Sequence, residues 1–480
     1  MDQLKKQHTY WTICSDCQGN GKINQRASKS KRLHYQRALE AYEKSNGSGV
    51  PPKRPITPQL TCLNCKGSGL ISADHFPVPD TKNLPHIAII GGGIGGIALA
   101  VACLHRGIPF TLFERDQQFN ARSQGYGLTL QQASKAIKGF GLFELKEGVH
   151  STKHVVQDTT GKVIVEWGMR TSTKADDAAP PKRTNVHIPR QALRMALMEQ
   201  LGETEFIKWD HQFINFETSK SSLQLHFLVD GKPVTHQADL IVGADGIRSS
   251  VRNLILNPTQ TPLKYLGCMV ILGICPLAAL NGLQHELLDS ETVFQTVNGF
   301  ERIYMMPFTK DTIMWQFSFP IDEDSAKAIS EGGSSSLKRE TLKRTKWHCP
   351  IPEIVEATLE DQITGYPAYD RDLLTPNLLT DAGPVTLIGD AAHPMSPFKG
   401  QGANQALLDA LSLARGIMKG CRPNSDWKSQ GIRKSVLTTF EKEMLHRSAS
   451  KVKDSAEACE LLHSKAVLRE GLLVKGRSLK

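Results

Sequence analysis

Apolar and polar positions fall into three textures along the chain, and each predicts a different kind of element. Short unbroken apolar runs occur at Ile87-Ala88-Ile89-Ile90, Phe110-Thr111-Leu112-Phe113, Leu240-Ile241-Val242 and Val385-Thr386-Leu387-Ile388. Runs this short, rich in β-branched residues and without alternation, predict strands buried on both faces, as in a parallel sheet. Apolar residues at helical spacing form the second texture. Ile97 to Leu104 predicts a helix that Arg106-Gly107-Ile108-Pro109 ends, and Leu407, Leu411 and Ala414 mark a longer one. Leu193, Leu197 and Leu201 predict a helix opened by Arg190, after a strand ending in Val186-His187-Ile188-Pro189; Ala133, Ile137 and Phe140 predict another, after the segment Arg122 to Leu130. In the third texture, between about Tyr265 and Phe319, the runs Cys268–Ile274, Glu291–Val297, Arg302–Phe308 and Thr312–Phe319 follow one another with no helix between them. They predict an antiparallel sheet. Arg302, Tyr304, Met306, Trp315 and Phe317 could line a pocket on one of its faces; sheet core is the expected role for most of them, and the register that decides is not readable from sequence.

The first two runs enclose a glycine-rich turn, Gly91-Gly92-Gly93-Ile94-Gly95-Gly96. Gly91, Gly93 and Gly96 fill a G-x-G-x-x-G frame, with Ile94 and Gly95 between them. The first glycine allows the tight turn, the second lets a pyrophosphate approach the backbone, and the third lets helix pack on strand. Glu114, followed by Arg115, stands at the end of the second strand, 18 residues after Gly96, where a carboxylate can accept both hydroxyls of an adenosine ribose. Strand, glycines, helix, strand and acid together read as one βαβ dinucleotide site. A membrane span is the competing reading, since Ile87 to Leu104 is 18 uncharged residues. Five glycines in the six positions 91–96 argue against it, each costing a helix up to ~1 kcal/mol relative to alanine.

At 480 residues, 40% apolar and 22% charged, the chain has the composition of a globular protein of two or three domains. Met1 to Tyr10 shows no apolar core of a secretory signal, so a cytoplasmic protein is expected. The net charge of +10 is uneven: residues 1–60 hold 11 Lys/Arg against 4 Asp/Glu, a balance of +7. That leaves the rest nearly neutral and admits, weakly, an acidic protein or nucleic-acid partner for the front of the chain, beside the plainer reading of a solvated appendage.

That front segment carries Cys14-Ser15-Asp16-Cys17-Gln18-Gly19-Asn20-Gly21 and Cys62-Leu63-Asn64-Cys65-Lys66-Gly67-Ser68-Gly69, two copies of C-x-x-C-x-G-x-G. Cys14, Cys17, Cys62 and Cys65 can make a tetrahedral Zn²⁺ site, with the glycines turning backbone amides toward the sulfurs. A redox-active thiol pair, an unmetallated turn and iron in the same thiolates are the alternatives. The pattern resembles the cysteine-rich repeats of DnaJ-type chaperones, with two copies instead of four, enough for one metal. Between the copies lie a helix expected over Lys29 to Lys44 and a Pro/Gly-rich stretch; Pro77 to Pro85 reads as a linker.

Two further stretches complete the chemistry. Asp239 to Arg252 is a strand that delivers Asp245-Gly246 at its carboxyl end. Val385 to Asn404 is a strand ending in Gly389-Asp390, then a proline-stiffened loop and Gly400-Gln401-Gly402 leading into the long helix. With the glycine motif and Glu114, these resemble the class A flavoprotein monooxygenases, the family of para-hydroxybenzoate hydroxylase, salicylate hydroxylase and the tetracycline-inactivating enzymes. The resemblance covers about 85 to 480.

It implies FAD as cofactor, with Gly91, Gly93, Ile94, Gly95 and Gly96 holding the ADP half and Glu114, next to Arg115, binding the adenosine ribose. It places Arg190 beside the cofactor and Asp390 on the ribityl chain, and it links Asp245 to both FAD and NAD(P)H. The segment Pro397, Gly400, Gly402, Ala403 and Asn404 is placed at the flavin, where a helix N-terminus stabilises an anionic reduced ring. The implied reaction uses NAD(P)H as co-substrate and O₂ to hydroxylate or epoxidise an aromatic or polycyclic small molecule through a flavin C4a-hydroperoxide; no catalytic side chain is named. The implied fold is α/β: a Rossmann-type FAD-binding domain (85–260 and 376–480) interleaved with an antiparallel-sheet substrate domain (261–375) and preceded by a small zinc-binding module (1–80). There is no second G-x-G-x-x-G, no paired cysteine after the first helix and no W-x-W-x-I-P. A flavin-dependent reductase of isoprenoid double bonds, and a flavin redox sensor with a zinc docking module, are the alternative functions.

Overall fold

The computed structural model describes residues 9–55, 57–121, 126–168, 186–202, 204–219 and 222–469. Residues 1–8, most of the stretch on which the leader expectation rests, and Arg122 to Gly125 lie outside the described residues. The chain divides into two compact units, 1–78 and 79–480.

In the larger unit a five-stranded parallel sheet runs in the order Ile207–Lys208, Phe110–Phe113, Ile87–Ile90, Leu240–Gly243, Val385–Leu387. Ile87 to Ile90 is buried at every position, as its unbroken apolar pattern requires. The helix Ile94–Leu104 is buried on nearly all sides, between this sheet and the long helix Gly402–Gly420. Gly95 permits that approach, because a Cβ there would stand 3.3 Å from the Cβ of Ala406.

A second sheet has seven strands, in the order Val163–Gly168, Lys153–Gln157, Thr292–Val297, Arg302–Pro307, Thr312–Pro320, Leu263–Pro276, Ile363–Arg371. Every pairing is antiparallel except that of Lys153–Gln157 with Thr292–Val297. Two of these strands precede residue 261, so the chain enters this sheet earlier than the sequence pattern suggests. One face packs on the helices Glu323–Glu331, Gly333–Arg344 and Ile351–Ala357 around Trp315 and Phe317, both fully buried. Gly273 sits beneath Trp315, where a Cβ would come within 2.4 Å of the indole. The other face opens on a cavity.

Two expectations change. Ala133, Ile137 and Phe140 lie on two 3₁₀ turns, Gln132–Ser134 and Ala136–Phe140, instead of an α-helix. The side chain of Asn404 takes the amides of Gln131 and Ala133, and Gly141, at φ +79°, ends the second turn. An antiparallel meander, Gln212–Thr218, Leu223–Val229 and Lys232–Ala238, was not anticipated, although Asp230-Gly231 between apolar runs is a hairpin signal. It packs Phe227 on Phe113 of the parallel sheet, ring centroids 4.4 Å apart.

In the smaller unit Tyr10–Ile13 pairs with Leu70–Ala73 and Lys22–Asn24 with Gln59–Thr61. The helix spans Lys29–Lys44, as its pattern predicts, and begins at Ser28, whose hydroxyl accepts from the amide of Lys31. No helix among the described residues is long and apolar enough to cross a membrane.

Candidate cofactor and substrate site

The glycine turn is fixed by close backbone packing. Gly91 has φ +107°, and a Cβ on it would meet the carbonyl oxygen of Ala244 at 2.6 Å; a Cβ on Gly96 would stand 1.9 Å from the carbonyl oxygen of Gly91. Around Gly93, by contrast, nothing lies within 4 Å of the Cβ position. The middle glycine therefore leaves room in front of the free amides of the helix Ile94–Leu104, as a phosphate requires. Glu114 is nearly buried at the end of its strand and accepts from the amides of Gly92 (2.6 Å) and Asp116 (3.0 Å). Arg194, which sequence reasoning missed, donates from Nε to the carbonyl of Gly92 (2.8 Å) and from Nη1 to that of Phe119 (3.0 Å), clamping the turn from behind.

From Gly93, Ile94 and Gly95 a cavity of about 1520 Å³ extends past Gly389, Asp390, Pro397, Gly400, Gly402 and Ala403 to the open face of the seven-stranded sheet. Gly91, Gly96, Glu114 and Arg115 lie outside its lining, at the loop end of the site. Asp390 faces the cavity, walled by protein, and burial pushes its carboxyl above the usual range. Gly402 stands next to it, its Cβ position 3.5 Å from Asp390 Oδ1, an ordinary contact distance. Arg190 opens its helix, as predicted, and lines the cavity; Nη1 donates to the Tyr126 hydroxyl at 2.5 Å, with the guanidinium over the same ring.

Asp245 and Asn404 are turned to structural partners. Asp245 accepts from the Ser249 hydroxyl and the amides of Ser250 and Val251, at the start of the helix Ser250–Ile255, while its neighbours Ala244 and Gly246 line the cavity. Asn404 is fully enclosed: Oδ1 accepts from the amides of Gln131 and Ala133, and Nδ2 donates to the carbonyls of Thr129 and Gly400. It ties the start of the long helix to the opposite wall.

Behind Asp390 lies a buried polar network. His393 Nε2 is 2.7 Å from Asp409 Oδ2, which also accepts from the amide of Gly389; Arg447 pairs with Asp409 Oδ1 at 2.7 Å. Burial opposes charge on His393, but Asp409 outweighs it and raises the imidazole; burial likewise opposes charge on Asp409, yet His393 and Arg447 hold it low.

On the sheet side Arg302, Tyr304 and Met306 line the cavity, whereas Trp315 and Phe317 belong to the opposite, core face. His154, stacked on Trp167 at 5.0 Å, and His187 also line it. Burial lowers their imidazoles to about 4 and about 3, so both are neutral at pH 7. No sequence motif marked these positions; alternation in the strands was their sole signal.

In the smaller unit the sulfurs of Cys14, Cys17, Cys62 and Cys65 all lie within 4.8 Å of one another. Sγ–Sγ is 3.8 Å for Cys14–Cys62 and 3.6 Å for Cys17–Cys65. A tetrahedron with Zn–S arms of ~2.3 Å has edges of ~3.8 Å, so the four thiols fit zinc. The amides of Gly21 and Gly69 point at Cys17 and Cys65 Sγ, 3.2 and 3.3 Å away.

Residues 85–427 match the FAD binding domain family. Among curated proteins the chain is similar to aurachin C monooxygenase/isomerase of Stigmatella aurantiaca (29% identity, covering 68% of this chain and 79% of that protein). It is also similar to the FAD-dependent monooxygenase thnD of Trichoderma harzianum (25%, covering 78% and 92%). Among solved structures it shares its fold with Klebsiella pneumoniae HpxO complexed with FAD and uric acid (TM-score 0.63, 18% identity, 80% of this chain and 90% of that one).

Proposed function

The chain belongs to the FAD binding domain family and is an FAD-dependent monooxygenase; from that premise we propose that it takes its electrons from NAD(P)H and oxygenates an aromatic or polycyclic small molecule. The supporting observation is the single cavity that joins the pyrophosphate turn to the open sheet face. In this reading Gly91, Gly93, Ile94, Gly95 and Gly96 take the diphosphate of FAD, with Glu114 and Arg115 at the ribose. Asp390 accepts from the ribityl hydroxyls, and the helix start at Gly402 and Ala403 supplies amides to the pyrimidine edge of the ring. FAD, when bound, supplies hydride acceptance and oxygen activation. The protein's part is positional: Asn404 ties the two walls together, and the bonded pair Arg190 and Tyr126 stands on the cavity wall where it would orient the bound ring. The similarity to oxygenases sets aside reduction of isoprenoid double bonds.

We further propose one Zn²⁺ held by Cys14, Cys17, Cys62 and Cys65. Four thiolates leave the metal no open position, so its role is structural. The basic surface of this module then serves an acidic protein or nucleic acid. In this reading the protein works in the cytoplasm, where zinc thiolates and unpaired cysteines persist.

The test is direct. The purified protein should be yellow, release FAD on denaturation, and consume NADPH and O₂ in equal amounts when an aromatic substrate is added. A protein that stays colourless with added FAD would overturn the reading.

A further inference from the structure

On the sheet wall of the cavity stands a cation that the proposed chemistry does not use. Arg302 is 4% exposed, yet no carboxylate pairs with it among the described residues. Its Nε donates to Gln295 Oε1 at 2.7 Å and Nη1 to Gln316 Oε1 at 3.4 Å, both neutral amides on the flanking strands. Its guanidinium lies over the Tyr304 ring at 4.9 Å. Nη2 has no partner among the described residues and is not sealed off: it opens on the cavity.

Burial brings the Arg302 guanidinium down to about 10, which leaves it charged at neutral pH. An enclosed charge is costly unless paired, and a guanidinium held flat by two amides with one fork free is shaped for an oxyanion. Lys399, on the turn Pro397–Lys399, faces the same cavity and makes no ion pair among the described residues. Burial and the charge of Arg302 disfavour its ammonium, while Asp454 and Glu457 favour it. Those two acids line the cavity on the Lys399 side, where Asp454 also meets Lys451 at 3.7 Å. The field at Arg302 is thus left uncompensated.

We infer that the substrate is an anion: an aromatic or fused-ring molecule whose carboxylate, or ionised phenol or enol, docks on Arg302 Nη2 with Lys399 nearby. The remainder of the ring system then lies along the sheet between Tyr304 and Met306 on one side and the His154–Trp167 stack on the other. Neutral polyenes lack the group this wall is built to receive. This inference rests on the monooxygenase reading above, and deepens it by naming the charge of the substrate.

The experiment titrates the FAD-loaded protein at pH 8 with three probes, following the flavin absorbance. They are 1-hydroxy-2-naphthoate, its methyl ester, and 4-nitro-1-naphthol, which is ionised at that pH. At least one anion should bind about ten- to a hundredfold more tightly than the ester, the range of a charged hydrogen bond; which anion wins separates carboxylate from phenolate. Arg302→Gln should erase the preference without changing FAD content, and Arg302→Lys should keep part of it. Equal binding of ester and both anions to the unaltered protein would overturn the inference, as would a Gln variant that keeps the preference. Should Arg302→Gln not fold, the unaltered protein and the Lys variant still decide. Should the protein hold no FAD, the monooxygenase reading is what fails, and quenching of Trp167 by the same probes tests the anion site by itself.

Discussion

The helix Lys29–Lys44 buries none of its residues, whereas ten of the eleven residues of Ile94–Leu104 are buried. The contrast extends to the units around them. In the nucleotide-binding unit the parallel strands, the helix Gly402–Gly420 and the seven-stranded sheet bring together many large apolar side chains before any ligand arrives. In the N-terminal unit the buried cluster is Cys14, Cys17, Cys62 and Cys65 with Ile71 packed against it, and Leu33, Val50, Leu60 and Leu63 remain exposed. One unit has a core that creates a ligand site; in the other, the site proposed for zinc is the core. The two should therefore respond oppositely to loss of what they bind.

The largest effect is expected from the metal. Structural zinc in small domains contributes roughly 10 to 16 kcal/mol of apparent binding free energy that is also folding free energy. Elemental analysis should find about one zinc per chain. Cys62→Ser, or a strong chelator, should release it and make residues 9–78 sensitive to protease while FAD stays bound. A serine variant that keeps its zinc, or loses its flavin, breaks the comparison.

Gly96→Val attacks the other unit. Its Cβ would overlap the Gly91 carbonyl, at 1.9 Å, in a segment where backbone faces backbone. Forcing that apart costs on the order of 3 kcal/mol or more. The variant should be colourless with its zinc in place; full flavin content would mean that the turn is looser than its packing indicates.

Asp390→Ala leaves the fold alone and removes one charged acceptor, worth about 1.5 to 3 kcal/mol. FAD should then dissociate roughly ten- to a hundredfold more readily in a dialysis or fluorescence titration. Retention equal to the unaltered protein would remove Asp390 from the cofactor site.

The smallest effect concerns His393. Its pKa is raised above 6.5, so the stability it contributes is fully present below about 6.5 and is lost as pH rises through the folded value. Asp409, held low, contributes above the ordinary carboxylate range and loses that only in acid. The Tm difference between the unaltered protein and His393→Gln should accordingly be widest near pH 5 to 6 and narrow toward alkaline pH. A gap that widens with pH would reverse the sign assigned here.

Much of the site was legible because its constraints are backbone constraints. Gly91 and Gly96 are positions where a Cβ cannot fit, and Asp390 sits on the 3₁₀ turn just after the buried strand Val385–Leu387, so composition and pattern mark all three. Likewise two C-x-x-C-x-G-x-G copies describe four thiols gathered with little freedom left. Arg194 was invisible for the opposite reason, and Arg302, named only among residues that could line a pocket or pack in the sheet, showed no sign of its lone charge. A buried arginine that bonds carbonyls or amides carries the same letter as a solvated one, and only the fold shows what lies beneath it. The split of Arg302, Tyr304 and Met306 from Trp315 and Phe317 depended on which face of the sheet meets the helices, and alternation alone does not reveal that. The 3₁₀ turns at 132–140 followed from Asn404, some 270 residues away, capturing two amides.

The two hooks are near copies in space as well as in sequence. Gln18 and Lys66 share φ near +50°, and a Cβ on Gly21 or Gly69 would strike the carbonyl of Gly67 or Gly19 at 2.3 or 2.4 Å. Residues 25–58, which join the paired strands Lys22–Asn24 and Gln59–Thr61, act as a tether that keeps one hook at high effective concentration for the other. The entropy of closing such a tether grows only with the logarithm of its length, so doubling it costs about 0.6 kcal/mol, small beside what four thiolates gain from a metal. Metal affinity is therefore almost indifferent to what the tether contains. The stretch carrying the helix Lys29–Lys44, none of whose residues is buried, can be lengthened, shortened or exchanged with the clasp unaffected, which makes it the part of the chain freest to acquire, change or lose a partner.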